Sequence, residues 1–270
     1  MQNNLKVFFI LFVLCSIVYF SFRKISFELT IFLIFFILFF LYFFSDRIIL
    51  LRYKAKKIEN HYINKILEEI SKKAEIRQPK IYISEISIAN IFVVGKNKRD
   101  SSVVITKNLL EKLNKEELKA VIAYSIACIK NDFPLIASMV SVIAYLIVGF
   151  AILIKKFFDI ITPKKSKIGL IFFSVIVSFA ALILQMTISR KDRFKADQKA
   201  VKLLEHPYAL IEAMKKLDKE KAEGFEWSAH LFFVSPLAKH ASVIFSTHPT
   251  TGERIRKLRK FWRKKQKQIF

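Results

Sequence analysis

Four long apolar runs constrain this chain more than any other feature of its sequence. They cover residues 5–22, 27–44, 134–154 and 168–188, and none has a charge in its interior. Each has close to the ~20 residues that an α-helix needs to cross about 30 Å of hydrocarbon. A water-soluble core in a chain of 270 residues could not cover all four. The sequence therefore predicts four transmembrane helices.

The predicted spans divide the chain into four parts. Two spans lie in residues 1–44, a polar segment in 45–133, two more spans with a basic loop in 134–188, and a second polar segment in 189–270. Because two crossings separate the polar segments, both lie on one side of the membrane and can form one domain. The first run lacks a small-x-small cleavage site, so we expect it to be retained rather than removed as a signal peptide.

Basic residues concentrate outside the apolar runs and give the chain a formal net charge of +24. Clusters follow the second and fourth runs, and the tail RIRKLRKFWRKKQK carries another. The positive-inside rule therefore predicts a multi-pass protein of the cell membrane whose domain faces the cytoplasm. The loop 155–167, with its five lysines, would lie outside, so its topology stays open. Basic segments at a membrane surface account for the charge, and no nucleic-acid partner is expected.

The first polar segment has the pattern of a helix followed by a small sheet. IENHYINKILEEISKKAEI has helical periodicity. The next three stretches, KIYIS, NIFVV and SSVVIT, are short, rich in β-branched and aromatic residues and separated by polar turns. They predict strands, the last two of which form a hairpin. The predicted apolar face of the helix consists of Ile58, Tyr62, Ile66 and Ile70.

A further helix is predicted at EELKAVIAYSIACIKND, residues 116–132. Asn114 is its expected N-cap, with Glu117 as the reciprocal partner three residues later. In the second polar segment, helices are predicted at 190–204 and 208–219, and Thr250 or Thr251 caps a last helix that begins near Gly252. The sequence thus predicts an α-helical membrane protein with a mainly helical α+β domain. The predicted buried stripe of the 116–132 helix is Leu118, Val121, Ile122, Ile126 and Ile129.

Four segments resemble, in order, landmark segments of the HtpX-type membrane zinc metallopeptidases, which are relatives of the CAAX prenyl proteases. They are NIFVVG (90–95), VVITKNLLEKLNKEELKAVIAYSIACIKND (103–132), DRFKAD (192–197) and FSTHPTTGERI (245–255). The arrangement of predicted spans is also similar, with two before the motif helix and two after it. The resemblance covers nearly the whole chain and implies a metallopeptidase-like domain.

In that family the motif helix reads H-E-x-x-H. Its two histidines bind zinc, and its glutamate activates the metal-bound water as general base. A third ligand, a glutamate, comes from an E-x-x-x-D pattern after the last span, and the aspartate orients a ligand histidine.

This chain has no H-E-x-x-H sequence. The resemblance implies that Tyr124 and Cys128 stand at the histidine positions, Ser125 at the base and Arg193 at the third ligand. Asp197 keeps the aspartate position, and His248 keeps the histidine of the T-H-P segment. Arginine cannot bind a divalent cation, and a tyrosine would have to ionise near pH 10. We therefore expect no zinc and no intact catalytic set.

Other roles for these residues stay open. Ser125 could be a nucleophile, and Cys128 with His248 could form a Cys-His pair, although a small helical serine, a buried thiol and a turn-stabilising histidine are the simpler interpretations. Arg193 and Asp197 could form an ordinary surface pair one helical turn apart. Our sharper hypothesis is that the Arg193 guanidinium occupies the position of the metal, near Tyr124, and keeps Asp197 satisfied.

The sequence favours a non-catalytic function. The peptidase relatives hold extended substrates against an exposed strand edge, and the resemblance places that edge at Asn90, Phe92 and Val94. We expect an inactive homologue that binds membrane proteins or a partner membrane protease as scaffold, adaptor or substrate-capturing subunit. One alternative is a divergent active metalloendopeptidase in membrane protein quality control. Another is a basic membrane-surface module. The sequence does not give the oligomeric state.

Overall fold

The computed structural model of the protein describes residues 27–161, 189–220, 228–236 and 249–267. The predicted spans at 5–22 and 168–188 lie outside these residues, and so does His248. The described helices are α1 (Phe27–Arg52), α2 (His61–Ala74), α3 (Lys107–Lys112), α4 (Lys115–Lys130), α5 (Phe133–Ile161), α6 (Arg190–Leu204), α7 (Tyr208–Leu217) and α8 (Thr251–Gln266), with a short 3₁₀ helix at Ala229–Leu231.

One described helix, α1, is by itself long and apolar enough to cross a membrane. Its candidate segment, Ile31–Arg52, has a mean hydropathy of 2.2, and its outward side chains include Phe35, which is 68% exposed. α5 contains the third predicted run and packs against α1. α4 and α5 pass the same test only together, and they meet at an angle of 87°. One span is therefore supported among the described residues, and a total of four remains a prediction.

α1 does not stop at the predicted boundary between residues 44 and 45. The helix continues to Arg52, and Ser45 and Ile49 on its last turns are buried. These turns pack under the domain because the sequence here returns to an amphipathic pattern, with apolar residues at helical spacing. The boundary predicted near residue 133 coincides with the beginning of α5 at Phe133.

A four-stranded mixed sheet lies at the centre of the domain. Its strands are β1 (Lys56–Lys57), which was not predicted, β2 (Lys80–Ser84), β3 (Ile91–Gly95) and β4 (Ser101–Thr106). Their order is β1-β2-β4-β3, where β2 and β4 are parallel and the other two pairs are antiparallel. The predicted hairpin of β3 and β4 is confirmed. Gly95 ends β3 at φ 153°, and a Cβ there would lie 2.5 Å from the carbonyl oxygen of Asp100.

The sheet separates two apolar cores. Because side chains alternate along a strand, Ile91 and Val93 of β3 face the core formed with α2, α4, α6 and α7. Phe92 and Val94 face the other core, which α1 and α5 complete. Both cores are continuous with the sheet, so β3 is buried on its two faces.

The local helix predictions are mostly confirmed. Asn114 and Glu117 form the predicted capping box of α4, with both hydrogen bonds at 2.9 Å. Thr250 caps α8 in the same way. The prediction that Tyr62 belongs to the apolar face of α2 is wrong. Tyr62 is 41% exposed, and Ile63 lies in the core instead. α4 is also buried on every side from Ala120 to Ile129 rather than along one stripe. The reason is that α2, α5, α6, α7 and β3 all pack against it.

Candidate functional site

The three residues at the expected motif positions lie together in the buried middle of α4. Tyr124, Ser125 and Cys128 are each no more than 3% exposed. The Ser125 hydroxyl donates to the Val121 carbonyl oxygen one turn back, at 2.9 Å. This is the ordinary bond of a buried helical serine, and it supports the simpler interpretation of Ser125.

Arg193 projects from α6 onto Tyr124 and is itself 1% exposed. Its Nη1 donates to the Tyr124 hydroxyl at 2.9 Å and to the Phe232 carbonyl oxygen at 2.9 Å. Its Nη2 donates to the His230 carbonyl oxygen. The guanidinium also lies 4.9 Å from the centroid of the Phe133 ring. The head of Arg193 is therefore buried next to Tyr124, as the sharper hypothesis requires.

Asp197 lies one turn further along α6, but its partner is not Arg193. Arg254 of α8 forms a two-point ion pair with it, through Nε to Oδ2 at 2.9 Å and Nη2 to Oδ1 at 2.6 Å. Both side chains are 1% exposed. Arg193 and Asp197 do not form a surface pair, because both are buried. Residues 230–232 cover Arg193, and Arg254 of α8 covers Asp197.

Residues 230–234, here called the cover segment, close the site on the side of β3. The Phe233 amide donates to the Ile91 carbonyl oxygen at 2.9 Å, and Phe232 forms an antiparallel bridge with Phe92. The Asn90 side chain accepts hydrogen bonds from the Phe233 and Val234 amides and donates to the Val234 carbonyl oxygen at 2.8 Å.

The strand edge expected to be exposed is therefore occupied. Asn90, Phe92 and Val94 are each no more than 2% exposed. The cover segment pairs with the first half of β3. At the last residue of β3, the Gly95 amide donates to the Ser138 hydroxyl of α5 at 3.2 Å. A strand edge without a partner leaves polar backbone groups unpaired, so the chain satisfies them internally.

Burial controls the protonation of the remaining groups. It raises the pKa of Tyr124 well above its ordinary value and raises that of Cys128 to about 11. Burial also raises the pKa of Asp197, which the charge of Arg254 opposes. Asp197 in turn raises the pKa of Arg254, and because a guanidinium stays protonated we treat the two as an ion pair.

His230 lies at the edge of the buried cluster that Tyr124, Cys128, Arg193, Asp197 and Arg254 form. Its Nε2 lies 2.8 Å from the Ser141 hydroxyl and 3.2 Å from the Ala137 carbonyl oxygen of α5. Burial lowers the pKa of His230 to about 3, so the ring is neutral at physiological pH. Since Ser141 donates to Ala137, Nε2 carries the hydrogen and donates to the Ser141 oxygen.

The side chains around the expected metal position do not fit zinc. The thiol of Cys128 and the phenol of Tyr124 are held protonated, and the Asp197 carboxylate is taken up by Arg254. The guanidinium of Arg193 brings a fixed positive charge to the place where a ligand is expected. Within the described ranges, no group of three His, Cys, Asp or Glu side chains could hold a metal ion. The guanidinium groups of this cluster bind backbone carbonyl oxygens and so contribute to the stability of the fold.

Two members of the cluster were not predicted. Arg254 belongs to the segment TGERI, yet it was counted with the basic tail. The available signal was its position four residues before the buried Leu258, on the apolar face of α8. His230 and the cover segment carry no local signal, because only the folded chain brings them to α6 and β3. His248, the expected partner of Cys128, lies outside the described residues.

Comparisons with known proteins identify the relatives of this chain. The sequence profile of peptidase family M48 matches residues 57–261. A Protease HtpX homolog of Methanocaldococcus jannaschii is 30% identical over 276 residues, covering 96% of this chain and 97% of the relative. A homologue of the same name from Sulfurihydrogenibium sp. is 32% identical over 244 residues, covering 83% and 82%.

The crystal structure of Ste24p from S. mikatae has a similar fold. It superposes with a TM-score of 0.52 at 16% sequence identity and covers 95% of this chain. The chain spans 65% of the length of the Ste24p chain. At this level of identity the likeness concerns the fold alone.

Proposed function

Because the chain belongs to peptidase family M48, as its resemblance to the HtpX-type peptidases predicted, we propose that it is a membrane-bound member that binds protein segments without hydrolysing them. The observation that carries this proposal is the buried guanidinium of Arg193, 2.9 Å from the Tyr124 hydroxyl. In this view Arg193 supplies the positive charge that the metal supplies in zinc-dependent relatives. It cannot activate water, so hydrolysis is lost while the fold is kept.

The proposed binding mode uses the edge of β3, which the cover segment occupies. A client peptide pairs with this edge only when the cover segment moves away, because that segment already uses the Ile91 carbonyl and the Asn90 side chain. The clients in this proposal are membrane proteins or a partner membrane protease. The protein would then act as scaffold, adaptor or substrate-capturing subunit. Phe92 and Val94 remain the proposed contact positions, reached only in the open form.

The proposed setting is the cell membrane, with several spans and the domain in the cytoplasm. α1 supports one span, and the basic residues Arg47 and Arg52 at its end favour the cytoplasmic side. This topology assigns no side of the membrane to the basic segment 155–167, whose first part belongs to α5, which ends at Ile161. A role in membrane protein quality control goes with the alternative of an active metalloendopeptidase, described next.

A second candidate is a divergent active metalloendopeptidase. It is favoured by the names of the relatives, which are proteases, and by the share of their length that the chain covers. This candidate requires a metal site that the described residues do not offer, since Arg193 and Arg254 occupy the centre of the cluster.

Metal content and proteolysis separate the two candidates. Full-length protein purified in mild detergent is analysed for zinc and incubated with unfolded casein, with and without chelator. We expect substoichiometric zinc and no chelator-sensitive cleavage. The matched control is the variant Y124H/S125E/C128H/R193E, which restores the family residues in one chain. Stoichiometric zinc together with chelator-sensitive cleavage by the unaltered protein would overturn the proposal.

A further inference from the structure

The C-terminal helix α8 has one face that packs against the domain and an opposite face that is exposed. The buried face holds Arg254 and Leu258, with Phe261 and Trp262 half-buried beside them. The opposite face is almost wholly cationic. Its exposed residues are Arg256, Lys257, Arg259, Lys260, Arg263, Lys264, Gln266 and Lys267.

The charges on this face have no acidic partner among the residues that the structure describes. Elsewhere on the surface, lysines pair with carboxylates, as Lys72 does with Glu68 and Lys80 with Asp100. Within the described ranges, none of the seven exposed cations of α8 forms such a pair. Like charges this dense repel one another, so a partner that carries negative charge stabilises them.

The position of α8 indicates which partner is near. The Lys257 ammonium lies 3.5 Å from the centroid of the Phe194 ring. Phe194 is in the first turns of α6, which begins at Arg190, just after the apolar run that ends at residue 188. At 1.5 Å per helical residue, Phe194 lies about 6 Å along α6 from Arg190, its first residue. This distance is within the range of about 8–10 Å over which charges act in physiological salt.

We propose that the exposed face of α8 binds the headgroups of anionic phospholipids on the cytoplasmic leaflet. This rests on the membrane topology of the proposed function, in which the run 168–188 is the last span. Binding holds α8, and through the Arg254–Asp197 pair also α6, at the membrane surface. A nucleic acid is the poorer match, because this face of α8 carries no exposed aromatic side chain on which bases could stack.

Hydrogen exchange of the full-length protein in nanodiscs tests this inference. Amide exchange in α8 is compared between discs of phosphatidylcholine alone and discs that also contain phosphatidylglycerol. We expect exchange at least about fivefold slower in the anionic discs, the effect of one basic side chain at such a surface. High salt should abolish the difference, because the charges are exposed.

Two charge-matched variants make the result specific. R256Q/R259Q/R263Q/K264Q removes four charges from α8 and should lose the lipid effect. K65Q/K72Q/K73Q/R77Q removes four exposed charges around α2 and should keep it. Both are first checked for an unchanged melting temperature.

The inference is overturned if α8 exchanges equally in both discs. It is also overturned if both variants lose the effect alike, or if added single-stranded RNA, and not anionic lipid, slows exchange in neutral discs. None of these outcomes bears on zinc content or proteolysis, so the proposed lack of hydrolysis is judged separately.

Discussion

Arg254 and Asp197 form a two-point ion pair in the interior of the domain, with N–O distances of 2.9 and 2.6 Å and 1% exposure of each side chain. The pair joins α8 to α6. Arg254 also donates to the Phe233 carbonyl oxygen at 2.5 Å, and its guanidinium lies 4.7 Å from the centroid of the Phe233 ring. One side chain thus connects two helices and the cover segment, which explains why a residue of the basic tail is buried.

Breaking this pair should strongly destabilise the domain. Replacing Arg254 with Met, or Asp197 with Leu, leaves the other charge buried without its partner, and we expect a loss of about 3–5 kcal/mol in the free energy of unfolding. The double variant R254M/D197L should lose less than the sum of the two. Denaturant unfolding in mild detergent measures all three. The exposed pair of Lys80 and Asp100 is the control, since K80M should cost less than about 1 kcal/mol. Additive losses in the double variant would show that the two residues do not interact.

Replacing Arg193 should loosen the cover segment. R193M leaves the His230 and Phe232 carbonyl oxygens without their charged donor, at a cost of roughly 1–3 kcal/mol for each buried group. R193K keeps the charge but not the planar fork that reaches three acceptors, so it should restore only part of the stability. Hydrogen exchange across residues 230–234 measures the loosening. The control is K191M on the exposed side of α6. Unchanged exchange in R193M would contradict the assigned contacts.

Asn90 should control access to the edge of β3. The variant N90A removes the carboxamide that bonds to both Phe233 and Val234, so the Phe233 amide should exchange at least about tenfold faster. A photocrosslinking side chain at position 92 should then capture protein partners in membranes more often than in the parent chain. N108A is the matched control, because Asn108 donates to the Ser87 carbonyl oxygen at the surface, away from the cover segment. If N90A speeds exchange without raising capture, the edge is not the binding site.

The sequence and the structure agree where local signals decide the structure. The capping boxes at Asn114 and Thr250 and the β3–β4 hairpin follow from neighbouring residues, and they were predicted. Contacts between residues that are distant in the sequence were not predicted. Phe233 pairs beside Asn90 across 143 positions, and Arg254 meets Asp197 across 57. Helical spacing puts Arg254 one turn before Leu258 on the apolar face of α8, but no local pattern identifies its partner, because Asp197 lies on another helix.

Cys128 should behave as an inert thiol. Burial raises its pKa to about 11, so at pH 8 roughly one molecule in a thousand holds the reactive thiolate. Alkylation of the folded protein should therefore be slow, and it should become rapid on unfolding. Peptide mapping by mass spectrometry counts Cys128 separately from Cys15. A cysteine placed at exposed Lys72 provides the comparison rate, and we expect it to react at least about a hundredfold faster. Similar alkylation rates at the two positions would contradict the inert thiol and favour a nucleophilic role for Cys128.

His230 should make the domain sensitive to acid. Its pKa in the folded protein is lowered to about 3 by burial, from an ordinary value of 6.5. The unfolded chain therefore binds a proton first as the pH falls, so the stability that neutral His230 provides is present above pH 6.5 and is lost progressively toward pH 3. This histidine alone gives a slope of up to about 1.4 kcal/mol per pH unit.

The variant H230Q isolates this contribution. Glutamine keeps an N–H donor for Ser141 but does not titrate. We expect the unfolding free energy of the variant to fall less steeply than that of the parent chain between pH 6.5 and 4.5, while both still lose stability through their carboxylates. H61Q, which removes an exposed histidine of α2, is the matched control for the loss of one histidine side chain. Parallel curves for H230Q and the parent would mean that the His230 ring is protonated in the folded protein, and the neutral ring assigned to the contact with Ser141 would be wrong.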